Sequence, residues 1–243
     1  MISNIIKKTK VIVKKVLGIQ SHPDFYTHGV HKRINITSHE SFQEFSILVR
    51  TIISEKKTHL YYDRFLTIYD AIKCIQQNSD IVEIGSKKGG STKFIASLAN
   101  SNSKIYCCDT FRGHVQLENF EKKIIKIGDH GNVSLEEVKN YLEQYKNVKI
   151  IEGDILQTYK KISLENIGLV HLDVDVFIPT KFVLDKFFPL VKNGCIFILD
   201  DYLNLNTPGV KKAVDEFKIK KEFKNRLYFS TLLTGQAVIV KIY

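Results

Sequence analysis

The 243 residues are 44% hydrophobic and 26% charged, a globular composition long enough for one large core, which excludes disordered and fibrous classes. Lys and Arg number 36 against 26 Asp and Glu, and the net charge of +10 favours anionic partners without choosing among nucleic acid, anionic lipid and phosphorylated substrates. The four cysteines, Cys74, Cys107, Cys108 and Cys195, form no CxxC pair and no zinc spacing, which fits a reducing, cytoplasmic setting.

Residues 1–19 place Ile2, Ile5, Ile6, Ile12, Val13, Val16 and Leu17 at roughly helical spacing, interrupted by Lys7, Lys8, Lys10, Lys14 and Lys15. A basic amphipathic helix of this kind can lie on the inner, anionic face of a membrane or pack on its own domain or a partner subunit. Lys alternates with Ile here, so no secretory signal is expected, and no apolar run has the length of a bilayer span. Residues 20–40 are rich in His and turn formers and read as irregular. Residues 41–53 and 60–75 carry apolar residues at i, i+3 and i+4 and predict two helices. A division into an extension, 1–60, and a main domain, 61–243, follows from the change of style beyond Asp80.

Short apolar runs at 80–84, 104–108, 148–152, 167–172 and 194–199 predict strands, and helical patterns at 91–99, 134–146, 155–163 and 180–190 lie between them. Strands alternating with helices imply an α/β fold with a doubly wound, mostly parallel sheet. The tail, 226–233 and 236–243 around a Thr-Gly turn, adds an antiparallel edge.

Ligands of such sheets bind beyond the carboxyl ends of the strands. The first strand runs into Gly85-Ser86-Lys87-Lys88-Gly89-Gly90-Ser91. A dinucleotide fingerprint needs a glycine at 87, and a P-loop needs a lysine at 91; neither is present. What remains is Glu83 before a glycine turn, suited to a cofactor with positive charge, as S-adenosylmethionine has in its ammonium and sulfonium groups. Asp109 ends the second strand, where an acid accepts from ribose hydroxyls, and Gly153-Asp154 follows the third, within reach of an adenine edge.

The fourth strand runs into Asp173-Val174-Asp175 and the fifth into Asp200-Asp201. If those strands are neighbours, Asp173, Asp200 and Asp201 converge, and a hard divalent cation such as Mg²⁺ relieves their repulsion. In an extended segment Asp175 points to the same side as Asp173 and can accept a proton as general base. An Asp pair after a strand also caps helices. His171, inside an apolar strand, reads as a packed, hydrogen-bonded core residue, while His114 and His130 are candidates for substrate contact.

The motifs VEIGSKKGGST (82–92), CDTFRG (108–113), EGDI (152–155), HLDVDVFIPT (171–180), NGCIFILDDY (193–202) and GVKKAVDEF (209–217) resemble those of the macrocin-type sugar O-methyltransferases. The resemblance implies a class I methyltransferase fold, S-adenosylmethionine, Mg²⁺ and a sugar, nucleotide-sugar or glycan hydroxyl as acceptor. It implies metal ligation by Asp173, Asp200 and Asp201, and Asp175 as base. Glu83, Gly85, Asp109 and Asp154 would hold the cofactor, with Ser86, Gly90, Ser91 and Thr110 of the same turns and Asp173 beside them. The sequence departs from the family at Lys87-Lys88, where an aromatic-Arg pair is common, and at Phe177-Ile178-Pro179. Residues 112–133, the expected acceptor lid, have no clear match. An RNA 2′-O-methyltransferase is the alternative suggested by charge, but the lysines are spread along the chain and no RNA-binding module is visible. A catechol-type small-molecule methyltransferase differs only in its acceptor. A non-catalytic scaffold would have no use for four clustered acids.

Overall fold

The computed structural model describes residues 40–243. The basic helix expected at 1–19 and the irregular stretch up to residue 39 lie outside the described residues.

Two helices, α1 (Glu40–Ser54) and α2 (Tyr62–Cys74), precede β1 (Asp80–Ile84). The order continues α3 (Gly90–Leu98), β2 (Ile105–Asp109), α4 (Leu135–Leu142), β3 (Val148–Glu152) and the single turn α5 (Ile155–Thr158), which passes into a 3₁₀ turn. It ends with β4 (Ile167–Leu172), α6 (Phe177–Phe187), β5 (Ile196–Leu199), α7 (Pro208–Lys218), β6 (Leu227–Thr231) and β7 (Ala237–Lys241).

One sheet has the strand order β3-β2-β1-β4-β5-β7-β6. Strands β1 to β5 are parallel, and β7 is antiparallel to both β5 and β6. The α/β, doubly wound class with an antiparallel edge is therefore the observed one. Successive strand side chains point to opposite faces. Ile81, Ile105, Leu169 and Ile198 meet Phe45, Val49 and Ile52 of α1, Phe65 and Ile68 of α2 and Phe94 of α3. Val82, Val170, Phe197 and Leu199 face the other way, onto Val183, Leu184 and Phe187 of α6 and Val214 and Phe217 of α7. Because the central strands are covered on both faces, their sequences are continuously apolar rather than alternating.

The compact body that holds the sheet begins at Phe45. The apolar stripe of α1 from Phe45 onward fills the same layer as that of α2. Helix α6 starts at Phe177, ahead of the expected residue 180, since a proline in the first turn costs no helical hydrogen bond and Pro179 sits there. β5 loses its first two expected residues because Gly194 turns the chain at φ +81°.

Candidate active site

The order of the strands reverses between β1 and its two neighbours, β2 and β4, and a cavity of about 620 Å³ opens beyond their carboxyl ends. Its walls include Gly85, Ser86 and Ser91 after β1, Asp109 and Thr110 after β2, Asp154 after β3, and Asp173, Asp175, Asp200 and Asp201 after β4 and β5.

The glycine turn is shaped by the protein's own backbone. Gly85 has φ +94°, and a Cβ there would lie 1.8 Å from the carbonyl oxygen of Asp173. Only glycine lets β1 and β4 come this close while the turn opens toward the cavity. The expectation that Gly90 touches a cofactor is corrected: its N–H donates to the Lys57 carbonyl at 3.1 Å, and an added Cβ would sit 2.6 Å from that oxygen.

Glu83 is corrected in the same way. It is fully buried and does not line the cavity. Its carboxylate accepts from the Thr92 hydroxyl and, at 3.0 Å, faces Nδ1 of His171. His171 is also fully buried, as expected of a core histidine, and its Nε2 stands 3.8 Å from Oδ1 of Asp200, a charge contact longer than a hydrogen bond. Burial alone would keep this imidazole neutral, but Asp200 and Glu83 on either side raise its pKa to about 10. A charged imidazole thus joins the floor of the first strand's turn to the acid pair after β5.

The end of the cavity after β2 and β3 is polar. Asp109 accepts from the backbone N–H groups of Lys87 and Phe111, each at 2.7 Å, tying the β1 and β2 turns together. Burial raises its pKa although those two N–H groups oppose the rise. Each carboxylate oxygen has a second lone pair, so ribose hydroxyls can still be accepted. Asp154 caps α5 through Leu156 N–H at 3.0 Å and accepts from the Gln116 amide at 3.0 Å.

At the other end the acids meet, in a different combination from the expected one. Oxygens of Asp173, Asp175 and Asp201 lie within 4.8 Å of one another. Asp175 joins them from a left-handed conformation, φ +63°, and not from an extended one. Asp200 stands outside this group. Its carboxylate accepts from Arg64 Nη1 at 2.7 Å and from the Gln236 amide at 2.7 Å. The nearby charged His171, with Arg64 and the Gln236 amide, holds Asp200 below the usual range against the effect of burial. Asp173 and Asp175 are pushed well above it, first by burial and then by neighbouring acids. The set Asp173, Asp175 and Asp201 offers hard oxygen donors whose repulsion a divalent cation would relieve, so the residues present fit such an ion.

Three contributors were not identified from the sequence. Arg64 projects from α2, with Nη2 3.7 Å from Asp201. Gln236 comes from the start of β7. Asn204 donates to Asp201 at 3.1 Å. Each is an ordinary polar residue locally, and only the fold brings it here. His114 and His130, by contrast, do reach the site: the Nε2 atom of each is 3.7 Å from Oδ2 of Asp175. The segment that carries them is fastened to α6 by buried Glu121, which accepts from Phe177 N–H at 2.8 Å and Glu118 N–H at 2.9 Å.

Residues 27–229 match the family model of the macrocin O-methyltransferases. The chain belongs to that family. It is 25% identical over 162 residues to demethyldecarbamoylnovobiocin O-methyltransferase of Streptomyces niveus, a match that covers 61% of this chain and 61% of that protein. Among solved structures, that of the O-methyltransferase NovP superposes with a TM-score of 0.66 at 20% identity, covering 77% of this chain and 83% of NovP. The calicheamicin methyltransferase CalS11 gives 0.61 at 19% identity, with 87% and 94% covered. A putative caffeoyl-CoA O-methyltransferase from Staphylococcus aureus gives 0.55 at 18%, with 95% and 99% covered. The fold of this macrocin O-methyltransferase family member is the class I methyltransferase fold, with the acids at the carboxyl ends of β4 and β5 next to the strand-order reversal.

Proposed function

We propose that the chain transfers a methyl group from S-adenosylmethionine to a hydroxyl of a sugar, nucleotide sugar or glycan. The observation that carries this reading is the group Asp173, Asp175 and Asp201 facing the same cavity as Asp109 and Asp154, in a chain of the macrocin O-methyltransferase family. A hydroxyl-rich acceptor is supported by Asn204, Asn206 and Thr207 in the wall beside the acids, whereas Tyr61 is the one phenol or phenyl ring lining it among the described residues. That composition favours a sugar over a catechol.

Asp173 and Asp201 would hold a divalent cation, most simply Mg²⁺, with Asp175 adjacent. When bound, such an ion supplies the positive charge that acidifies a nearby hydroxyl and orients it. Asp175 accepts the acceptor's proton as the acceptor oxygen bonds to the methyl carbon and the carbon–sulfur bond breaks. Asn204 steadies Asp201. Arg64 and Gln236 hold the carboxylate of Asp200, which in this reading acts as a positioning residue beside the Asp173, Asp175 and Asp201 group.

The test is transfer of labelled methyl groups to a panel of nucleotide sugars and glycan extracts. Turnover should stop in excess EDTA and return with Mg²⁺. Asp173→Asn should lower turnover by at least about a hundredfold, the size typical of removing one electrostatic contributor, while S-adenosylhomocysteine still binds. Full activity of Asp173→Asn, or full activity in EDTA, contradicts the reading.

A further inference from the structure

We propose that Lys87, with His59 and His130, forms a subsite for an oxyanion carried by the methyl acceptor, a phosphate or a carboxylate close to the reacting hydroxyl. This rests on reading the cavity as a methyltransferase site.

Lys87 is held by its own backbone. It follows the Gly85 turn in a left-handed conformation, φ 49°, and its N–H donates to Asp109. Its ammonium lies 2.8 Å from Nδ1 of His130 and 3.3 Å from Nδ1 of His59. An ammonium can only donate, so both imidazoles accept through Nδ1 and carry their protons on Nε2. Two of the three ammonium donors are then used and one remains.

Charge pairing singles out the same residue. Of the other Lys and Arg side chains lining the cavity, Lys57 pairs with Glu137 at 3.6 Å and Arg64 with Asp200 and Asp201. Lys87 has no carboxylate within ion-pair distance among the described residues. This half-buried ammonium feels Asp175, Asp173 and Asp109 only beyond ion-pair distance, and an anionic ligand gives it the direct charged partner it lacks.

The position indicates which molecule brings the anion. His130 lies on the 112–133 segment and turns its Nε2 toward Asp175, so the ammonium is tied to the end of the cavity where the reacting hydroxyl must sit. The His130 ring stands between Lys87 and Asp175, with Nδ1 toward the ammonium and Nε2 toward the acid. At the nucleoside end, Lys87 makes its hydrogen bond to Asp109 through the backbone N–H and not through the ammonium. The net charge of +10 suits an anionic acceptor as well.

The experiment uses the full chain loaded with S-adenosylhomocysteine, in EDTA so that no divalent ion competes for phosphate. Inorganic phosphate, glucuronate and the neutral methyl glucoside are titrated by calorimetry and by ¹⁵N-histidine NMR. Phosphate or glucuronate should bind and shift the His59 and His130 resonances, with little response to methyl glucoside. Phosphate alone indicates a phosphorylated acceptor, and glucuronate alone an acidic sugar. Lys87→Met should weaken anion binding by at least about tenfold, the scale of one charge-assisted hydrogen bond, and Lys87→Arg should retain it. Affinity for S-adenosylhomocysteine should stay unchanged in both variants. Failure of both anions to bind, or equal binding by Lys87→Met, overturns the proposal. So does a loss of S-adenosylhomocysteine affinity in Lys87→Met, which would assign the lysine to the cofactor's carboxylate. If the unmodified protein does not bind S-adenosylhomocysteine at all, the methyltransferase reading fails instead.

Discussion

Replacing Arg64 by methionine should destabilise the protein by about 3 kcal/mol, because it removes the cation from a carboxylate that water barely reaches. The Arg64 side chain is 15% exposed and that of Asp200 is 5% exposed, with 2.7 Å between them. Breaking a buried pair by removing one partner costs about 3–5 kcal/mol, since the other charge is left without compensation. The lower end applies here because Asp200 keeps the Gln236 amide at 2.7 Å and the charged His171 at 3.8 Å. Methionine preserves much of the arginine stem's apolar packing, so the loss reports on the charge. Urea unfolding followed by circular dichroism, with EDTA present, measures it, and the slope against urea should not change. The double variant Arg64→Met/Asp200→Asn should recover at least about 1 kcal/mol, because the unpaired charge is gone. A single-variant loss below about 1 kcal/mol, or strict additivity in the double variant, would refute the idea that Arg64 neutralises Asp200.

Gly85→Ala should cost more than about 3 kcal/mol or prevent accumulation of folded protein, since it combines an unfavourable positive φ with a backbone collision. A melting temperature within a few degrees of the parent's would contradict that geometry. At Asp215, burial works to raise the pKa, but Lys211, Lys218 and the Tyr202 hydroxyl hold it down at about 2. A depressed carboxyl adds stability that is complete above its unfolded value, 3.8, and disappears as the pH falls through 2. The Asp215 side chain is 33% exposed and its partners are screened by solvent, so Asp215→Asn should remove less than about 1 kcal/mol above that window and nothing below it. Acid unfolding curves of the two proteins that run parallel throughout would dispose of this assignment.

Much of the fold was legible because its signals are local. Strands β1, β3 and β4 occupy their expected residues, each an apolar run bounded by polar or turn-forming residues. The antiparallel edge was announced by two short strand patterns around Thr234-Gly235. A boundary slipped at α6, where Pro179 falls inside the first turn. Of the site, the acids at the strand ends could be read directly, because chain order fixes which residues follow each strand.

The partner of each acid could not be read. The sequence by itself determined that Asp109, Asp154, Asp173, Asp175, Asp200 and Asp201 stand at one edge of one sheet, since alternating strands and helices admit few topologies. Only the tertiary structure decided that Asp200 is taken by Arg64, 136 residues away, and that Asp175 turns back to join Asp173 and Asp201. It likewise withdrew Glu83 from the cavity to face His171. A carboxylate's role depends on which donors the fold brings within about 3 Å, and hydrogen-bond distances between remote segments leave no periodic trace along a chain.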